Sequence, residues 1–545
     1  MRLPVTLAVV LAGGLAGGLA GGCAPPDRGP RFERAGATSP RDGGTLRFAH
    51  KDAISTLDPA YAYDEASIIA IHPMLDTLLD YEAGGTRLVP RLAESWEVGA
   101  DGTVYRFRLR AGARYADGEP IRAADLAFSL ERVLKLPDSP FAYLLAGVVG
   151  AADVTGGKAE HAGGIRVAGE RELEVRIAAP NPAFVAVFAM PFTAPLRADY
   201  LARMGGSLRR HPLASGPYQL DAWDELLRVV LVRNPHYPDR SRAHVDRMVI
   251  LENLARDTQF LMFERGELDI ADKLAAPDLF WVRAQPAWAP FVLATPMLNT
   301  YGSRFNVRVA PFDDRRVRRA FNYAVNRDHI RKLLVGTATP AHGILPPGVL
   351  GRDEALAPYP HDPAKARALL AEAGHGGGLA VEYATIADEE AQKLAASLQS
   401  DLAEVGVDMR ISVMSIPALA AAMGKPDGPP FSWNGWSGDS PDPTSFLDAK
   451  FHSRAIADEA SQNDAFYANP ELDALLDAAR EERDPDRRAA MYRRAERIVY
   501  DDAPWMFGYH QVQTEVVQPY VQGYTPHPIW VRDYTTAWLD VGDPP

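Results

Sequence analysis

Apolar and polar residues alternate along several short segments of the chain, as they do in β-strands that are buried on one face. In the segment Val104–Leu109, the side chains of Tyr105, Phe107 and Leu109 fall on one side, and two arginines fall on the other. This alternation predicts a strand with one face against the core. Similar patterns predict strands at Gly44–Ala49, Val245–Leu251 and Val407–Val413.

Helical segments are marked mainly by their ends. Asp362 is placed to cap a helix, Pro363 suits the first helical position, and Gly374 suits the residue that stops the helix. The pairs Asn469-Pro470 and Asp484-Pro485 predict two more helices that begin in the same way.

A further helix is predicted from the apolar residues between Val317 and Val325, which recur at the spacing of a buried helix face. The pair Asp313-Asp314 precedes it, and we expect both acids to cap and complement the helix amino terminus rather than to act as a catalytic acid and base. The basic run Arg315–Arg319 is expected on a solvated helix face or at a contact between lobes, not on a nucleic-acid surface.

Together these patterns predict a mixed α/β protein. The chain has 545 residues, and about 520 would remain after removal of a leader, which is more than one hydrophobic core usually organises. Two or three domains are therefore expected.

The charge of the chain narrows the choice of partners. A net charge of −13 and a pI near 5.5 argue against binding to nucleic acid or to an anionic membrane surface, because both select basic protein faces. The acidic balance mildly favours cationic ligands, although many large proteins are acidic simply for solubility.

The amino terminus has the features of a secretory leader. Arg2 precedes an apolar, acid-free run that is too rich in glycine for a convincing membrane helix, so residues 1–22 are predicted to be a signal peptide. Cys23, the single cysteine, resembles the lipidated cysteine of bacterial lipoproteins, with Ala20 where those proteins usually carry a larger aliphatic residue. Residues 23–42 would then be a lipidated cysteine and a flexible tether, because this stretch is rich in Pro, Gly, Arg and Ser.

The stretch Phe431–Phe446 combines aromatic residues, glycines and a carboxylate on a turn-rich segment. If its first part is a strand, Asn434 and Trp436 share one face, Trp433 lies on the other, and Asp439 falls on the following loop. A carboxylate beside an indole suits a cationic ligand, because it adds charge-assisted hydrogen bonds to cation–π attraction. The alternative is that Asp, Gly and Pro in this segment only build turns.

The segment from Gly435 to Asp439, followed by Asp442-Pro443, resembles the cleft of the dipeptide- and oligopeptide-binding proteins of ABC importers, family 5 of the extracellular solute-binding proteins. Other segments resemble the same family in the same order, and that order over roughly 500 residues makes the resemblance specific. These segments are Leu92–Glu97, Asp101–Thr103, Tyr115–Pro120, Ser215–Tyr218, Arg233–Tyr237, Gly266–Asp269, Pro311–Arg318, Ile344–Gly348 and Asp362–Gly374.

The resemblance implies a two-lobed periplasmic-binding-protein fold of the cluster C type, joined by hinge-crossing strands and closing on ligand by hinge motion. Lobe 1 would be discontinuous, and an extra domain would be inserted into it. The implied ranges are 43–73, 213–296 and 504–545 for lobe 1, 74–212 for the extra domain and 297–503 for lobe 2.

The implied function is capture of a short peptide between the lobes and its delivery to an ABC permease and ATPase complex. Asp439 would hold the α-amine, Trp436 would line a side-chain pocket, and Asn434 and Asn306 would add polar contacts. Cys23 would anchor a monomer to the membrane in the periplasmic or extracytoplasmic space. Two alternatives stay open: the same scaffold could bind an oligosaccharide, an opine or a nickel chelate, or it could serve signalling or chaperone-like work without transport.

The common enzyme motifs are missing from the sequence. There is no Gly-x-Ser-x-Gly elbow, no His-Glu-x-x-His and no phosphate-binding Gly-x4-Gly-Lys-Ser/Thr loop, and the 13 histidines lack metal-ligand spacing. We therefore expect no enzymatic activity, no cofactor and no protein-bound metal.

Overall fold

The computed structural model describes residues 34–541, so the predicted signal peptide and Cys23 lie outside the described residues. Helices and strands alternate through this range, which confirms the predicted mixed α/β class. None of the helices between residues 34 and 541 combines the length and hydrophobicity that a membrane span needs.

The β-strands are numbered in the order in which they occur along the chain. They are β1 Thr45–Ala49, β2 Leu79–Tyr81, β3 Leu88–Pro90, β4 Ala93–Val98, β5 Val104–Leu109, β6 Ile165–Gly169, β7 Glu172–Arg176, β8 Tyr218–Asp224, β9 Arg228–Arg233, β10 Arg247–Leu251, β11 Ile270–Asp272, β12 Val292–Pro296, β13 Asn299–Phe305, β14 Ala338–Pro340, β15 Leu379–Ile386, β16 Val407–Met414, β17 Phe431–Ser437, β18 Trp505–Val517, β19 Val521–Gln522, β20 Thr525–His527, β21 Val531–Asp533 and β22 Trp538–Leu539.

The α-helices are numbered in the same way. They are α1 Glu65–Ile71, α2 Ala123–Lys135, α3 Ala151–Thr155, α4 Ala198–Met204, α5 Arg256–Glu264, α6 Ala276–Ala284, α7 Arg315–Ala324, α8 Arg327–Leu333, α9 Pro363–Glu372, α10 Glu389–Ala403, α11 Ile416–Met423, α12 Leu447–Phe451, α13 Pro470–Glu481 and α14 Pro485–Asp502.

The predicted strands and helix starts are confirmed at β1, β5, β10, β16, α9, α13 and α14. Asp362, Asn469 and Asp484 each accept a hydrogen bond from a backbone N–H in the first turn of their helix. At α7 the prediction was only half right, because Asp314 accepts from the backbone of Arg316 and Asp313 is not the cap.

Three larger sheets organise the molecule. One has the order β1-β10-β9-β8 and another the order β4-β5-β7-β6, and each is covered by its own hydrophobic core. The third has eight strands, with the main order β11-β18-β13-β17-β15-β16 and with β12 and β14 also paired to β18. The two four-stranded sheets lie in the ranges predicted for lobe 1 and the extra domain, and most of the eight-stranded sheet lies in the range predicted for lobe 2.

The 13-residue strand β18 joins the two lobes. Its first residues pair with β13, where Trp505 is opposite Arg304 and Tyr509 is opposite Tyr301. Its last residues pair with β11 and β12, where Val516 is opposite Val292. Because β12 continues into β13, two neighbouring strands cross from one lobe to the other, as the resemblance implied.

The core of lobe 2 fixes the strand β17 beside this crossing. Phe431, the first residue of β17, stacks on Phe305 with ring centroids 5.0 Å apart, and both rings contact Phe312 and Phe321. All four side chains are fully buried. This aromatic cluster sets the position from which β17 runs towards the opening between the lobes.

Part of the segment predicted as a flexible tether is bound to the fold. The buried carboxylate of Asp540 accepts hydrogen bonds from Arg34 Nε at 2.8 Å, Gly36 N at 2.9 Å and Ala37 N at 3.0 Å. Residues 34–37 are therefore attached to the fold through Asp540.

Two buried arginines of lobe 2 differ in how their charge is accommodated. Arg318, which the sequence predicted on a solvated helix face or at a contact between lobes, is only 5% exposed. Its guanidinium donates to four backbone carbonyls, those of Phe312, Asp313, Asp502 and Ala503. Arg304 on β13 is fully buried, and no hydrogen bond reaches its guanidinium nitrogens from residues 34–541. Burial lowers the pKa of the Arg304 guanidinium to about 10, against the opposing attraction of Asp464.

Replacing Arg304 with methionine should stabilise the protein. The variant removes a desolvated charge that makes no hydrogen bond, so we expect the free energy of unfolding to rise by about 1–3 kcal/mol. Urea unfolding of residues 34–541 measures the change. The matched variant Arg318→Met should lower stability by about 3 kcal/mol, because it leaves buried carbonyl groups without donors. Equal losses in both variants would show that Arg304 also has a stabilising partner.

Candidate functional site

The strand β17 and the loop after it carry the residues predicted to bind ligand. β17 lies between β13 and β15, with Trp436 opposite Thr300 and Asn434 opposite Gly302. Two glycines are required here by close contacts. A Cβ atom on Gly435 would lie 2.3 Å from the Tyr301 ring, and one on Gly438 would lie 2.4 Å from the Phe446 ring.

The Asp-Pro pair after the strand has a structural role. Asp442 accepts from Thr444 N at the start of the short 3-10 helix Pro443–Ser445, and it forms a two-point ion pair with Arg488 at 2.7 and 2.9 Å. The Arg488 side chain is only 4% exposed, so this pair ties the loop to α14. The loop is therefore held at its far end, and Asp439 projects from its near end.

Asp439 accepts two hydrogen bonds from outside lobe 2. The Tyr63 hydroxyl donates to Oδ1 at 3.0 Å, and the Tyr143 hydroxyl donates to Oδ2 at 2.7 Å. Partial burial and the neighbouring carboxylate raise the pKa of the Tyr63 hydroxyl to about 12, and they also raise that of Tyr143. Both hydroxyls therefore stay protonated as donors at neutral pH. Asp439, Tyr63 and Tyr143 fall in the ranges predicted for lobe 2, lobe 1 and the extra domain, so this cluster lies where those three ranges meet.

Asp439 opens onto a cavity of about 460 Å³ between the extra domain and lobe 2. Tyr63 and Tyr143 border it beside the carboxylate. The lobe 2 wall carries mainly polar groups, and the extra-domain wall carries mainly apolar side chains. The lobe 2 wall consists of Trp436, Asp439, Ser440, Thr444, Ser445, Ala449 and Gln462. The other wall consists of Pro140, Tyr143, Leu144, Asn181, Ala183, Phe184, Ala186, Val187 and Met190.

Trp436 lines this cavity, as the sequence indicated. Its indole Nε1 donates to the Ser445 carbonyl at 2.6 Å, and the buried Lys450 ammonium lies 4.6 Å from its ring centroid. Trp433 packs on the opposite side of the strand, with its ring 6.0 Å from that of Tyr301. The ring of Trp436 is thus held by a hydrogen bond and a buried cation while one part of it faces the cavity.

The two asparagines predicted as ligand contacts do not line this cavity. Asn434 is buried, and its Nδ2 donates to Asp464 Oδ2 at 2.9 Å, the same oxygen that receives Lys450 Nζ at 2.6 Å. Asn306 is also buried, and it donates to the Pro426 carbonyl at 2.8 Å. The side chains of Asn434 and Trp436 lie on one face of β17, as the alternation predicted, but the asparagine amide is occupied inside lobe 2.

Sequence reasoning missed Tyr63 and Tyr143. They lie 376 and 296 residues from Asp439 along the chain, so no local pattern connects them to it. Each tyrosine is 53% exposed. An exposed aromatic residue gives no periodic signal, and only the arrangement of the lobes brings these hydroxyls together.

Removing both tyrosine hydroxyls should make the ligand-free protein more open. Tyr63→Phe combined with Tyr143→Phe keeps the rings and removes two hydrogen bonds, each worth about 1 kcal/mol at a partly exposed site. Small-angle X-ray scattering should show a larger radius of gyration. The control Tyr61→Phe, at a nearby tyrosine that is 38% exposed, should change nothing. An unchanged radius in the double variant would show that these bonds do not hold the parts together.

Comparison with known proteins agrees with this architecture. The model for bacterial extracellular solute-binding proteins, family 5 Middle, matches residues 87–458. Di/tripeptide-binding protein 2 of Pseudomonas aeruginosa is 29% identical over 524 residues, covering 91% of this chain and 95% of that protein. The glutathione-binding protein GsiB of Salmonella typhimurium is 28% identical over 458 residues, covering 83% of this chain and 86% of that protein.

A solved structure shows the same two-lobed fold. The periplasmic binding protein DppA from Helicobacter pylori, in complex with the peptide STSA, superposes with a TM-score of 0.74 at 25% identity. The match covers 92% of this chain and 99% of that one. The family model matches well over half of the chain, and the chain belongs to family 5 of the bacterial extracellular solute-binding proteins.

Proposed function

We propose that this protein captures short peptides by their free α-amine and delivers them to an ABC permease and ATPase complex. The observation that carries this proposal is the position of Asp439, whose carboxylate opens onto the cavity at the meeting point of both lobes and the extra domain. The relative named for di- and tripeptides and the neighbour solved with a peptide support the same ligand class.

Asp439 can accept further hydrogen bonds beside the two from Tyr63 and Tyr143. An ionised carboxylate offers about four acceptor positions, and the hydroxyls of Tyr63 and Tyr143 take two of them. A peptide ammonium group has three donors and can bind the remaining lone pairs with charge-assisted hydrogen bonds. The tyrosines would then orient the carboxylate for the amine, and Trp436 would supply apolar contact beside it.

The proposed ligand is short. The cavity volume of about 460 Å³ is in the lower half of the range for small-molecule sites, about 300–1,000 Å³. Main-chain groups of an extended peptide would form hydrogen bonds with the protein backbone, and these give affinity that does not depend on the side chains of the peptide. A neutral oligosaccharide has no cation for Asp439, so the carboxylate favours peptides over that alternative.

Peptide binding should depend on the charge of both partners. We expect a tripeptide with a free amine, such as Leu-Gly-Gly, to bind a protein of residues 34–541. N-acetylation of the peptide, or Asp439→Asn in the protein, should weaken binding by about 1.5–3 kcal/mol, roughly 10- to 100-fold. Isothermal titration calorimetry measures both effects. Asp486→Asn, on the exposed surface of α14, is the control and should bind like the unmodified protein. Equal affinity for free and acetylated peptides would contradict the amine anchor.

We also propose that Cys23 anchors the protein to the membrane from the extracytoplasmic side. The proposal rests on the apolar leader before the single cysteine and on the family, whose model describes extracellular proteins. One acyl chain binds membranes only weakly, so stable anchoring would require more than one chain on this cysteine.

In cells expressing the full chain, Cys23→Ser should move the protein from the membrane to the soluble fraction and abolish labelling by a palmitate analogue. Fractionation with immunoblotting measures the first effect, and in-gel detection measures the second. The neighbouring variant Ala24→Ser should remain lipidated. Membrane retention of unlabelled Cys23→Ser would show that another feature anchors the protein.

A further inference from the structure

We infer that the cavity selects peptides whose first residue has an apolar side chain. This inference rests on the proposed function, because it requires the α-amine to bind at Asp439. The α-amine and the first side chain are attached to the same carbon atom. A ligand that places its amine on Asp439 must therefore place its first side chain in the cavity next to that carboxylate.

The wall of the cavity opposite the lobe 2 residues is apolar. Of its nine residues, only Tyr143 and Asn181 carry polar side chains. The others include Leu144, Phe184, Val187 and Met190. Leu144 lies in the 3-10 helix Ala142–Leu145, Phe184 and Val187 lie in the 3-10 helix Pro182–Ala189, and Met190 follows the end of that second helix.

This wall belongs to the packed core of the extra domain. Phe184 and Val187 are 4% and 8% exposed, and the Phe184 ring lies 5.3 Å from that of Tyr105 on β5. Asn181 fixes the start of the 3-10 helix by accepting from Ala183 N at 3.1 Å, and its carbonyl accepts from the Tyr105 hydroxyl at 2.6 Å. The apolar wall is thus a fixed surface that would not need to be ordered when a ligand binds.

The charges of the cavity point to the same ligand class. Among the lining residues, all within the described part of the chain, Asp439 is the one with a formal charge at neutral pH. An acidic first side chain would be repelled by Asp439 and would find no cation on the walls. A basic first side chain would have to leave water among apolar groups while the α-amine already occupies the carboxylate. An apolar side chain has neither cost and buries its surface on Leu144, Val187 and Met190.

Affinity for tripeptides that differ only in the first residue tests this inference. By calorimetry, we expect Leu-Gly-Gly to bind at least tenfold more tightly than Glu-Gly-Gly, which is at least about 1.4 kcal/mol. Leu144→Lys should reverse the order, because it places a cation on the apolar wall beside the first side chain. Leu261→Lys, at an exposed leucine of α5 outside the cavity, is the matched control and should keep the original order.

The outcomes separate this inference from the proposed function. If no free-amine peptide binds, the proposed function fails and the inference fails with it. If both peptides bind with equal affinity and Asp439→Asn weakens both, the amine anchor stands and the selection of apolar first residues is wrong. Met190→Lys serves as a second cavity variant if Leu144→Lys does not fold, as judged by circular dichroism, and the same reversal is expected.

Discussion

The long strand β18 is the constraint on which the rest of the structure depends. Hydrogen bonds from β11 and β12 near the carboxyl-terminal end of β18, and from β13 and β14 near its amino-terminal end, attach both lobes to the same strand. Since the backbone of a strand interior must keep its hydrogen bonds, the lobes can move mainly where the crossing strands lie between the two cores. Only β13 lies between β17 and β18 in the sheet. The crossing strands therefore also set the position of β17 and of the loop with Asp439 that follows it.

The carboxylates after β17 have two different roles: one is held in an ion pair, and the other faces the cavity. The Asp442–Arg488 pair is largely buried and holds the loop, and the buried Asp464–Lys450 pair packs against the ring of Trp436. Such pairs fix the positions of the groups they join but add little to the free energy of unfolding, because desolvation offsets much of the Coulomb attraction. Asp439 differs in that its partners are neutral hydroxyl groups. Its two partners among the described residues leave the carboxylate without a cationic partner at the cavity, where a cationic ligand can bind.

Local signals in the sequence predicted the scaffold well and the site only in part. Alternation and helix caps located β5, α9, α13 and α14 because those features depend on neighbouring residues. Asp439 and Trp436 were predicted from the chemistry of a carboxylate beside an indole and from a family resemblance, whereas Tyr63 and Tyr143 were missed because their contact with Asp439 exists only after the lobes assemble. For Asn434, alternation gave the face of the strand but could not show that the amide donates to the buried carboxylate of Asp464.

The arrangement around Asp439 also links ligand chemistry to the relative position of the lobes. A ligand shifts a conformational equilibrium only by the difference in its affinity for the two states. A group that touched lobe 2 alone would bind the open and closed forms equally and would shift nothing. The proposed amine would bind a carboxylate that is also held by lobe 1 and the extra domain, and the first side chain would contact a wall that belongs to the extra domain. The amine by itself would bind a carboxylate of lobe 2, whereas the first side chain would contact the extra domain, so it is the side-chain contact that would favour the closed form.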